Sequence, residues 1–374
     1  MYLHQMLVSN ELGGAGLVGL NLAGVLQTRL QESHIWIPGD GPAKRKAEEL
    51  GLIHHVYDPA NVLSSSRFSA AFGNWRIWQR FRYDKPGIVH IYSPLFYRAI
   101  RYAVKMSGLK SIVHIHLEED KDGLSCDFKS PPDLIITCAN FLVEHVRSAL
   151  PRYLQKTQRI ISVPNAVDVK RFSPSNKVLA KQKVGAPNGV PLVLMVANLA
   201  PHKGQETAIL AAAILKEMKV RSHFWLAGIE RGGKQEYTAH LYALCHRLKV
   251  ADRVRFLGHR EDVPELLRAA DIFLLPSTAE GLPLSVLEAQ ATKVPVLAAS
   301  TAGIPEVVTD RESGFLIPAE DALGYAHRIE SLLRCPEISN RVTEQAYTRI
   351  IKQHNWSTYS EKVWTLYESL IEKE

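Results

Sequence analysis

Residues 270–308 read ADIFLLPSTAEGLPLSVLEAQATKVPVLAASTAGIPEVV. The apolar run at 272–275 leads into a loop shaped by Gly281 and Pro283, and a helical stretch then leads to a second apolar run at 294–298. Two short apolar runs separated by a helix indicate a βαβ unit, in which the strands are parallel and are covered by helices. This stretch therefore predicts a parallel α/β architecture.

The same alternation extends along most of the chain. Apolar runs predict strands near residues 2–9, 34–37, 88–92, 111–116 and 134–138 in the first half, and near 191–197, 223–227, 254–257, 272–275, 294–298 and 315–317 in the second. Helical patterns lie between these runs, so both halves predict Rossmann-like parallel sheets. One helix has both ends marked, because Ser93 can cap it, Pro94 suits its first turn and Gly108 suits its end. Its apolar stripe consists of Leu95, Ala99, Tyr102 and Met106.

The alternation breaks at residues 174–190, which are polar and rich in turn-forming residues. We interpret this segment as a linker between a first domain at 1–173 and a second domain at 191–354. Two parallel α/β domains of similar size predict a central cleft between them. Ligands of open parallel sheets bind beyond the carboxyl ends of the strands, so the loops that follow strands are the candidate sites.

The composition fits a globular chain of two domains. Of 374 residues, 46% are hydrophobic and 22% are charged, which argues against a disordered chain. The four cysteines lie far apart, with no zinc spacing and no disulfide scaffold, as expected in a reducing compartment. We expect no signal peptide and no bilayer span, and hence a cytoplasmic protein or one that is peripheral at the inner membrane face.

The net charge of +7 is concentrated in the first domain, because residues 1–173 hold six of the seven excess positive charges. Lysines and arginines cluster between residues 76 and 110, where Asp84 is the single acidic residue. Such a surface is either merely solvated or meets an anionic partner.

The segment Trp75–Tyr83, WRIWQRFRY, lies within this basic region. On one helical side it carries Ile77, Trp78 and Phe81. Aromatic residues interleaved with arginines predict contact with an anionic membrane surface. Packing of the same aromatic side chains against the core of the first domain is the alternative.

The first loop contains Gly14–Gly19, which satisfies the GxGxxG pattern, and Asp40 follows at about the spacing of a dinucleotide fingerprint. This pattern raises the alternative of an NAD-dependent dehydrogenase. The loop Asn10–Gly13 argues against it, because a dinucleotide fingerprint turns directly from strand to helix. Glycines that open a helix also allow a phosphate or substrate to approach, or simply allow tight packing.

Two loops of the second domain carry charged side chains beside a helix start. Lys203 and Gly204 precede a helix, where a cation and backbone amides suit a diphosphate, although an exposed turn lysine is the ordinary alternative. Glu280 precedes the next such helix and Glu288 lies just inside it. Amides near Leu284–Val286 suit an anion, and the two carboxylates suit ligands rich in hydroxyl groups. A solvated Glu280 and a Glu288 favoured by the helix dipole are the alternative.

These residues resemble the family-4 retaining glycosyltransferases of the GT-B fold, and the resemblance extends over nearly the whole chain. GGAG is similar to the glycine-rich opening of this family, IVHIH to its histidine-bearing strand end, and VANLAPHKG to its phosphate-binding loop. VPNAVDVKRFSP is similar to the segment that closes the first domain. The most specific match is the pair Glu280 and Glu288 within AEGLPLSVLEA.

The resemblance implies that residues 1–173 bind the acceptor and that 191–354 bind the nucleotide sugar. It also implies that the terminal helix at 355–374 crosses back to the first domain. The implied catalytic residues are His116, Glu280 and Lys203. The implied donor-binding residues are Gly13, Gly14, Asn198, Lys203, Leu284, Ser285, Val286 and Glu288.

The implied reaction is the transfer of a hexose-type sugar, with retention, from a nucleoside diphosphate sugar to an acceptor hydroxyl. UDP-sugars are the favoured donors, and the acceptor is a small molecule, a glycan or a lipid-linked glycan, with no nucleic acid as partner. No metal or other cofactor is expected, and Asp120 and Asp122, which form a DxD pattern, are interpreted as solvated surface or as a wall on the acceptor side. Asn198 stands where a basic residue is common and Gly16 where an acidic one is frequent, so a catalytically weak nucleotide-sugar-binding protein remains an alternative.

Overall fold

The computed structural model describes residues 1–64, 67–187, 189–233 and 235–372, with only the backbone of Arg67. The chain forms two compact units, the first from Met1–Ala166 with Trp356–Glu374 and the second from Val167–Asn355. The parts of the predicted segments that fall on residues 65, 66, 188, 234, 373 and 374 lie outside the described residues.

The first unit contains one parallel sheet with helices between its strands. Its strands are β1 (Tyr2–Met6), β2 (Glu32–Pro38), β3 (Ile53–Tyr57), β4 (Gly87–Ile91), β5 (Lys110–Ile115), β6 (Leu134–Thr137) and β7 (Ile160–Ser162). Its helices, numbered along the whole chain, are α1 (Gly14–Leu26), α2 (Pro42–Glu49), α3 (Pro59–Val62), α4 (Arg67–Phe81), α5 (Pro94–Ser107), α6 (Lys121–Asp127), α7 (Phe141–Ala149) and α16 (Trp356–Ile371). The strand order is β3-β2-β1-β4-β5-β6-β7.

The second unit repeats this plan. Its strands are β8 (Leu192–Val196), β9 (His223–Ala227), β10 (Val254–Gly258), β11 (Ile272–Leu275), β12 (Val296–Ala299) and β13 (Phe315–Ile317). Its helices are α8 (Lys177–Val184), α9 (Gln205–Glu217), α10 (Glu236–Arg247), α11 (Val263–Ala269), α12 (Leu284–Ala291), α13 (Ile304–Val307), α14 (Ala322–Arg334) and α15 (Pro336–Gln353), with a 3₁₀ turn at Pro201–Lys203. The strand order is β10-β9-β8-β11-β12-β13.

Both sheets are parallel and reverse their order once, between β1 and β4 in the first unit and between β8 and β11 in the second. This is the doubly wound arrangement, in which the reversal point is the usual ligand site. The predicted fold class of two Rossmann-like parallel sheets is confirmed. Strands β3 and β7 were not predicted.

Helix α5 has the predicted ends, and its predicted apolar stripe is not the side that it buries. The Ser93 hydroxyl accepts a hydrogen bond from the Phe96 amide (3.3 Å), and Gly108 ends the helix in the left-handed conformation. The side buried against the sheet instead carries Phe96, Tyr97 and Ile100. The predicted stripe is the outer side, where Leu95, Tyr102 and Met106 are exposed.

Helix α4 buries the aromatic and apolar side chains for which the sequence predicted membrane contact. Ile77 and Phe81 lie in the core of the first unit, and Trp78 packs against the same core. The alternative of core packing is therefore the correct one for these three side chains, because they face β-sheet residues such as Trp36 and Val89.

The terminal helix α16 belongs to the first unit, as predicted. It packs on α1, where Arg29 forms an ion pair with Glu361. The hydroxyl of Tyr367 is hydrogen-bonded to Nδ1 of the buried His90 (2.6 Å).

The border between the units differs from the predicted linker. Residues 167–173 belong to the second unit, because the Val167 amide donates to the His354 carbonyl (2.8 Å) and Arg268 donates to the Ser173 carbonyl (2.8 Å). Within the predicted linker 174–190, helix α8 packs on α11. No helix within the described ranges combines the length and the apolar character needed to cross a bilayer.

Gly228 lets two chain segments approach each other at the carboxyl edge of the second sheet. Its φ is +148°, and a Cβ built there would lie 1.9 Å from the Ala197 carbonyl oxygen. Gly258 also has a positive φ, +67°, but a Cβ there would meet open space. Gly228 therefore combines a close contact with a positive φ, whereas Gly258 has the positive φ alone, so comparing the two shows the effect of the contact.

We predict that Gly228→Ala destabilises the protein by at least about 3 kcal/mol, because steric overlap adds to backbone strain. The matched control Gly258→Ala should lose only about 1–2 kcal/mol, the cost of the left-handed conformation. Denaturant unfolding measures both values. Equal losses would contradict the close approach.

Candidate functional site

Two neighbouring strands of the second sheet bring Lys203 and Glu280 together. Lys203 follows β8 and Glu280 follows β11, which are the strands at the order reversal. The Lys203 ammonium donates to Oε1 of Glu280 at 2.8 Å, and only 7% of the Glu280 side chain is exposed. A largely buried carboxylate that is paired with a partly exposed ammonium forms a polar site at this point of the open sheet.

The two loops that carry this pair are joined to each other. The Thr278 amide donates to the His202 carbonyl (2.8 Å), and the Ser277 hydroxyl donates to the Lys203 carbonyl (3.3 Å). Gly204 has φ +78°, and a Cβ there would lie 2.1 Å from the Pro276 carbonyl oxygen. Only glycine allows this approach, so the position of Lys203 is set by the backbone.

Helix α12 begins beside Glu280. Pro283 is its N-cap residue, and the Val286 amide donates to the Pro283 carbonyl (3.2 Å). The amides of Leu284 and Ser285 precede the hydrogen-bond ladder of the helix. Of the three predicted amides, these two are therefore the better donors for an anion, while Val286 already has a backbone partner.

Glu288 lies one turn further along α12. Burial raises the pKa of its carboxyl to about 7, and the charge of Arg171 opposes this shift. The Arg171 guanidinium donates to the Glu261 carbonyl (3.2 Å), which holds it in the second unit. Arg171 was not predicted as a site residue, although it stands in the segment VPNAVDVKRFSP.

Asn198 follows β8 in the same region. Its carbonyl accepts a hydrogen bond from the side chain of Gln205, which is fully buried on α9 (2.9 Å). Asn198 is partly exposed. Its backbone therefore helps to anchor the start of α9. Its side chain is neutral, although a basic residue is common at this position in the family that the sequence resembles.

The predicted residues of the first unit lie at the carboxyl edge of the first sheet. Gly13 is the N-cap residue of α1, which begins at Gly14, and His116 directly follows β5. The ring of Tyr92 lies 5.8 Å from the ring of His116, and a Cβ on Gly19 of α1 would overlap the ring of Tyr92 at 2.9 Å. Gly19 thus allows α1 to pack tightly against Tyr92. This packing explains the last glycine of the GxGxxG pattern without a bound dinucleotide.

His116 ends a line of buried polar side chains that the sequence analysis missed. Nδ1 of His90 meets Tyr367, and Nε2 of His90 lies 3.3 Å from Nδ1 of His114. The ring of His114 stacks on His116 at 4.1 Å. Burial lowers the pKa of His116 to about 3, so its imidazole is neutral at physiological pH.

The acidic residues of the DxD pattern lie at the start of α6, with Asp120 as its N-cap residue and Asp122 in its first turn. The Asp120 carboxylate caps α6 by accepting a hydrogen bond from the Gly123 amide (2.8 Å). A cap of this kind explains Asp120 without a metal ion.

Within the described part of the chain, one group of side chains has the composition of a metal site: His4, His34 and Asp84. The Trp36 indole N–H donates to Nδ1 of His4 (3.2 Å), so the proton of His4 lies on Nε2, which faces Asp84 at 3.1 Å. The rings of His4 and His34 are stacked with 12° between their planes. Lone pairs in parallel planes do not converge on one ion, so the geometry favours a hydrogen-bonded cluster.

The fold and this site define the class of protein. Two doubly wound parallel sheets in one chain are typical of the GT-B fold. Residues 176–349 match the family model described as glycosyl transferases group 1. The match covers just under half of the chain, and it agrees with the resemblance predicted from the sequence.

Relatives and solved structures agree with this assignment. D-inositol 3-phosphate glycosyltransferase 2 of Catenulispora acidiphila is 33% identical over 221 residues, which are 57% of this chain and 51% of the relative. The chain thus spans about half the length of the curated relatives it matches. Anabaena Alr3699/HepE, solved in complex with UDP and glucose, has a TM-score of 0.86 at 21% identity, over 98% of this chain and 99% of that chain. Sucrose-phosphate synthase from Thermosynechococcus elongatus has a TM-score of 0.80 at 17% identity, over the full length of both.

We predict that acid destabilises the first unit. Burial lowers the pKa of His34 and His55 to about 4 and of His90 and His116 to about 3. Unfolded histidines bind protons below about pH 6.5, so stability is present above that value and is lost as the pH falls towards 3. Each histidine contributes a slope of up to about 1.4 kcal/mol per pH unit.

Urea unfolding followed between neutral and mildly acidic pH measures this slope. His34→Gln should reduce the slope, whereas His327→Gln, which changes an exposed histidine of α14, should leave it unchanged. If the free energy of unfolding depended on pH equally in the wild type and both variants, buried histidines would not be the cause of the acid destabilisation.

Proposed function

We propose that the chain is a retaining glycosyltransferase that moves a hexose-type sugar from a nucleoside diphosphate sugar to an acceptor hydroxyl without a metal ion. UDP-sugars are the favoured donors. The observation that carries the proposal is the Lys203–Glu280 pair beside the start of α12, at the reversal of the second sheet. The UDP and glucose held by the Anabaena protein of similar fold support the choice of donor.

Lys203 and Glu280 have complementary roles in this proposal. A diphosphate competes with the Glu280 carboxylate for the Lys203 ammonium, since both are anions. When the ammonium turns to the diphosphate, the carboxylate becomes an acceptor for the hydroxyl groups of the sugar. The ion pair therefore holds both groups in place and exchanges partners when the donor binds.

The leaving diphosphate gains negative charge as the sugar–phosphate bond breaks. Lys203 and the amides of Leu284 and Ser285 are preorganised to stabilise this charge, which is the main source of rate in such sites. Because Asn198 is neutral, Lys203 carries more of this stabilisation than it would beside a second cation. The Glu288 carboxylate is placed to accept hydrogen bonds from the ribose hydroxyls.

The first unit supplies Gly13, Gly14 and His116 in this proposal. The glycines at the start of α1 allow close approach of the donor, with backbone amides and a positive helix end. His116 is neutral, so it acts as a hydrogen-bond partner of a sugar hydroxyl and not as a cation for the diphosphate. The acceptor is a small molecule, a glycan or a lipid-linked glycan.

A catalytically weak nucleotide-sugar-binding protein is the second candidate. The observation that favours it is the neutral Asn198 beside a lysine that is already paired. Release of UDP in the presence of a pool of sugar acceptors distinguishes the two candidates, because a binding protein holds the donor without turnover.

We predict that Lys203→Ala lowers kcat/KM by roughly 10²–10³, because one preorganised donor to the diphosphate is lost. Glu280→Gln should impair sugar transfer without weakening the affinity for free UDP, because the Lys203 ammonium then loses the carboxylate that competes with the diphosphate. The matched control is Lys183→Ala, which removes a largely exposed lysine of the same unit. UDP release measures turnover and calorimetry measures affinity; full activity of Lys203→Ala would refute the proposal.

We predict that the affinity for UDP falls as the pH decreases through about 7, where Glu288 takes up a proton and loses acceptor capacity. The loss approaches tenfold per pH unit below the pKa. In Glu288→Gln the affinity should change only through the titration of UDP itself. Parallel pH curves for the two proteins, measured by calorimetry, would show that Glu288 does not bind the ribose.

A further inference from the structure

The outer side of α4 exposes three aromatic side chains. Phe68, Phe72 and Trp75 follow one another at helical spacing and are 90%, 54% and 50% exposed. Phe72 and Trp75 stack with their ring centroids 5.8 Å apart. Aromatic rings of this size are seldom left in water as a group, so they indicate an interaction surface.

The outer side of α5 continues this apolar area. Tyr102 and Met106 are 62% and 70% exposed. The two helices are packed side by side, and the side chain of Asn74 on α4 donates to the Ala99 carbonyl on α5 (2.9 Å). Because both helices cover the same core, their outer sides face away from the sheet together.

Basic side chains accompany these aromatic rings. The Arg76 guanidinium lies 5.9 Å from the ring of Phe72, and that of Arg101 lies 5.1 Å from the ring of Tyr102. Lys105 is exposed and is hydrogen-bonded to the Ser130 hydroxyl. In the described residues, none of these three cations forms an ion pair with a carboxylate.

Acidic side chains are almost absent from the segment that forms α4 and α5. Asp84 is the single acidic residue between positions 67 and 110, and it is buried against His4 at 3.1 Å. Asp127 on the neighbouring α6 is buried as well and pairs with Arg98 at 2.8 Å. The charge of the exposed area is therefore positive, and anions are the ligands it attracts.

We infer that this aromatic–basic surface, formed by Phe68, Phe72 and Trp75 on α4 and by Tyr102, Lys105 and Met106 on α5, docks on an anionic lipid bilayer. Aromatic rings enter the boundary between headgroups and acyl chains, and Lys and Arg meet lipid phosphates. A second copy of the chain fits less well, because a two-fold interface would place these cations against one another. The surface differs from the side of α4 that carries Ile77, Trp78 and Phe81, which is buried.

Flotation of the full chain with vesicles tests this surface. Vesicles of phosphatidylcholine with phosphatidylglycerol should carry the protein upward at low salt, and vesicles of phosphatidylcholine alone should not. High salt should release the protein, since the attraction is screened. Brominated lipids should quench tryptophan fluorescence in the wild type, and Trp75→Phe should lose most of that quenching.

Two variants test the aromatic and the basic contributions to vesicle binding separately. Phe68→Ser with Phe72→Ser and Trp75→Ser should lower binding by more than about tenfold. Arg76→Gln with Lys105→Gln should lower it by about fivefold for each charge removed. The matched control is Val178→Ser with Leu179→Ser, which removes exposed apolar side chains from α8 of the second unit. Circular dichroism and the midpoint of thermal unfolding should be unchanged in all three, which shows that they are folded.

Several results would overturn the inference. Absence of wild-type binding to anionic vesicles is one, and equal binding of the aromatic variant and the α8 control is another. A dimer in analytical ultracentrifugation that the aromatic variant abolishes, without vesicle binding, would assign the surface to a second copy instead. None of these outcomes depends on catalysis, so they are distinguishable from a failure of the proposed function.

Discussion

The ion pair between Lys203 and Glu280 is the interaction on which the candidate site depends. An ammonium and a carboxylate buried together are tolerated only when they are paired, because either charge alone would lose its hydration without compensation. Their contact requires that β8 and β11 be neighbours, although 75 residues separate Val196 from Ile272 in the numbering. It also requires Gly204, since any side chain there would overlap the Pro276 carbonyl. The topology, the loop backbone and the charge pair therefore constrain one another.

The second unit was easier to predict from sequence than the first, for a physical reason. Apart from the edge strand β10, its strands are short apolar runs that are mostly buried, and all six were predicted near their observed positions. In the first unit β3 was missed, because its sequence IHHVY carries polar residues and it lies at the edge of the sheet, partly exposed. β7 was missed because it has only three residues at the other edge. The apolar stripe predicted for α5 is real, but periodicity alone does not show which side of a helix meets the sheet when both sides carry apolar residues.

The same distinction applies to the site. Lys203, Glu280 and Glu288 each stand in a local motif, so the sequence alone was sufficient to propose them as site residues. The line from Tyr367 through His90 and His114 to His116 has no local signal. His90 and His114 come together only because β4 and β5 are adjacent, and Tyr367 joins them only because α16 returns to the first unit. Arg171 is similar: its effect on Glu288 arises from the folding of the segment 167–173 onto the second unit.

The two units respond to pH through different groups. In the first unit, neutral histidines such as His90 and His116 are buried, and their pKa values lie several units below that of a solvated imidazole. In the second unit, the buried Glu288 titrates near neutrality because burial opposes its charge. As the pH falls from neutral, Glu288 is protonated while the folded histidines remain neutral. Protonation of Glu288 removes a desolvated charge from the second unit. The histidines of the first unit bind protons only when the unit unfolds, so acid lowers its free energy of unfolding. A moderate drop in pH therefore neutralises a carboxyl group of the candidate site in the second unit, while it destabilises the first unit.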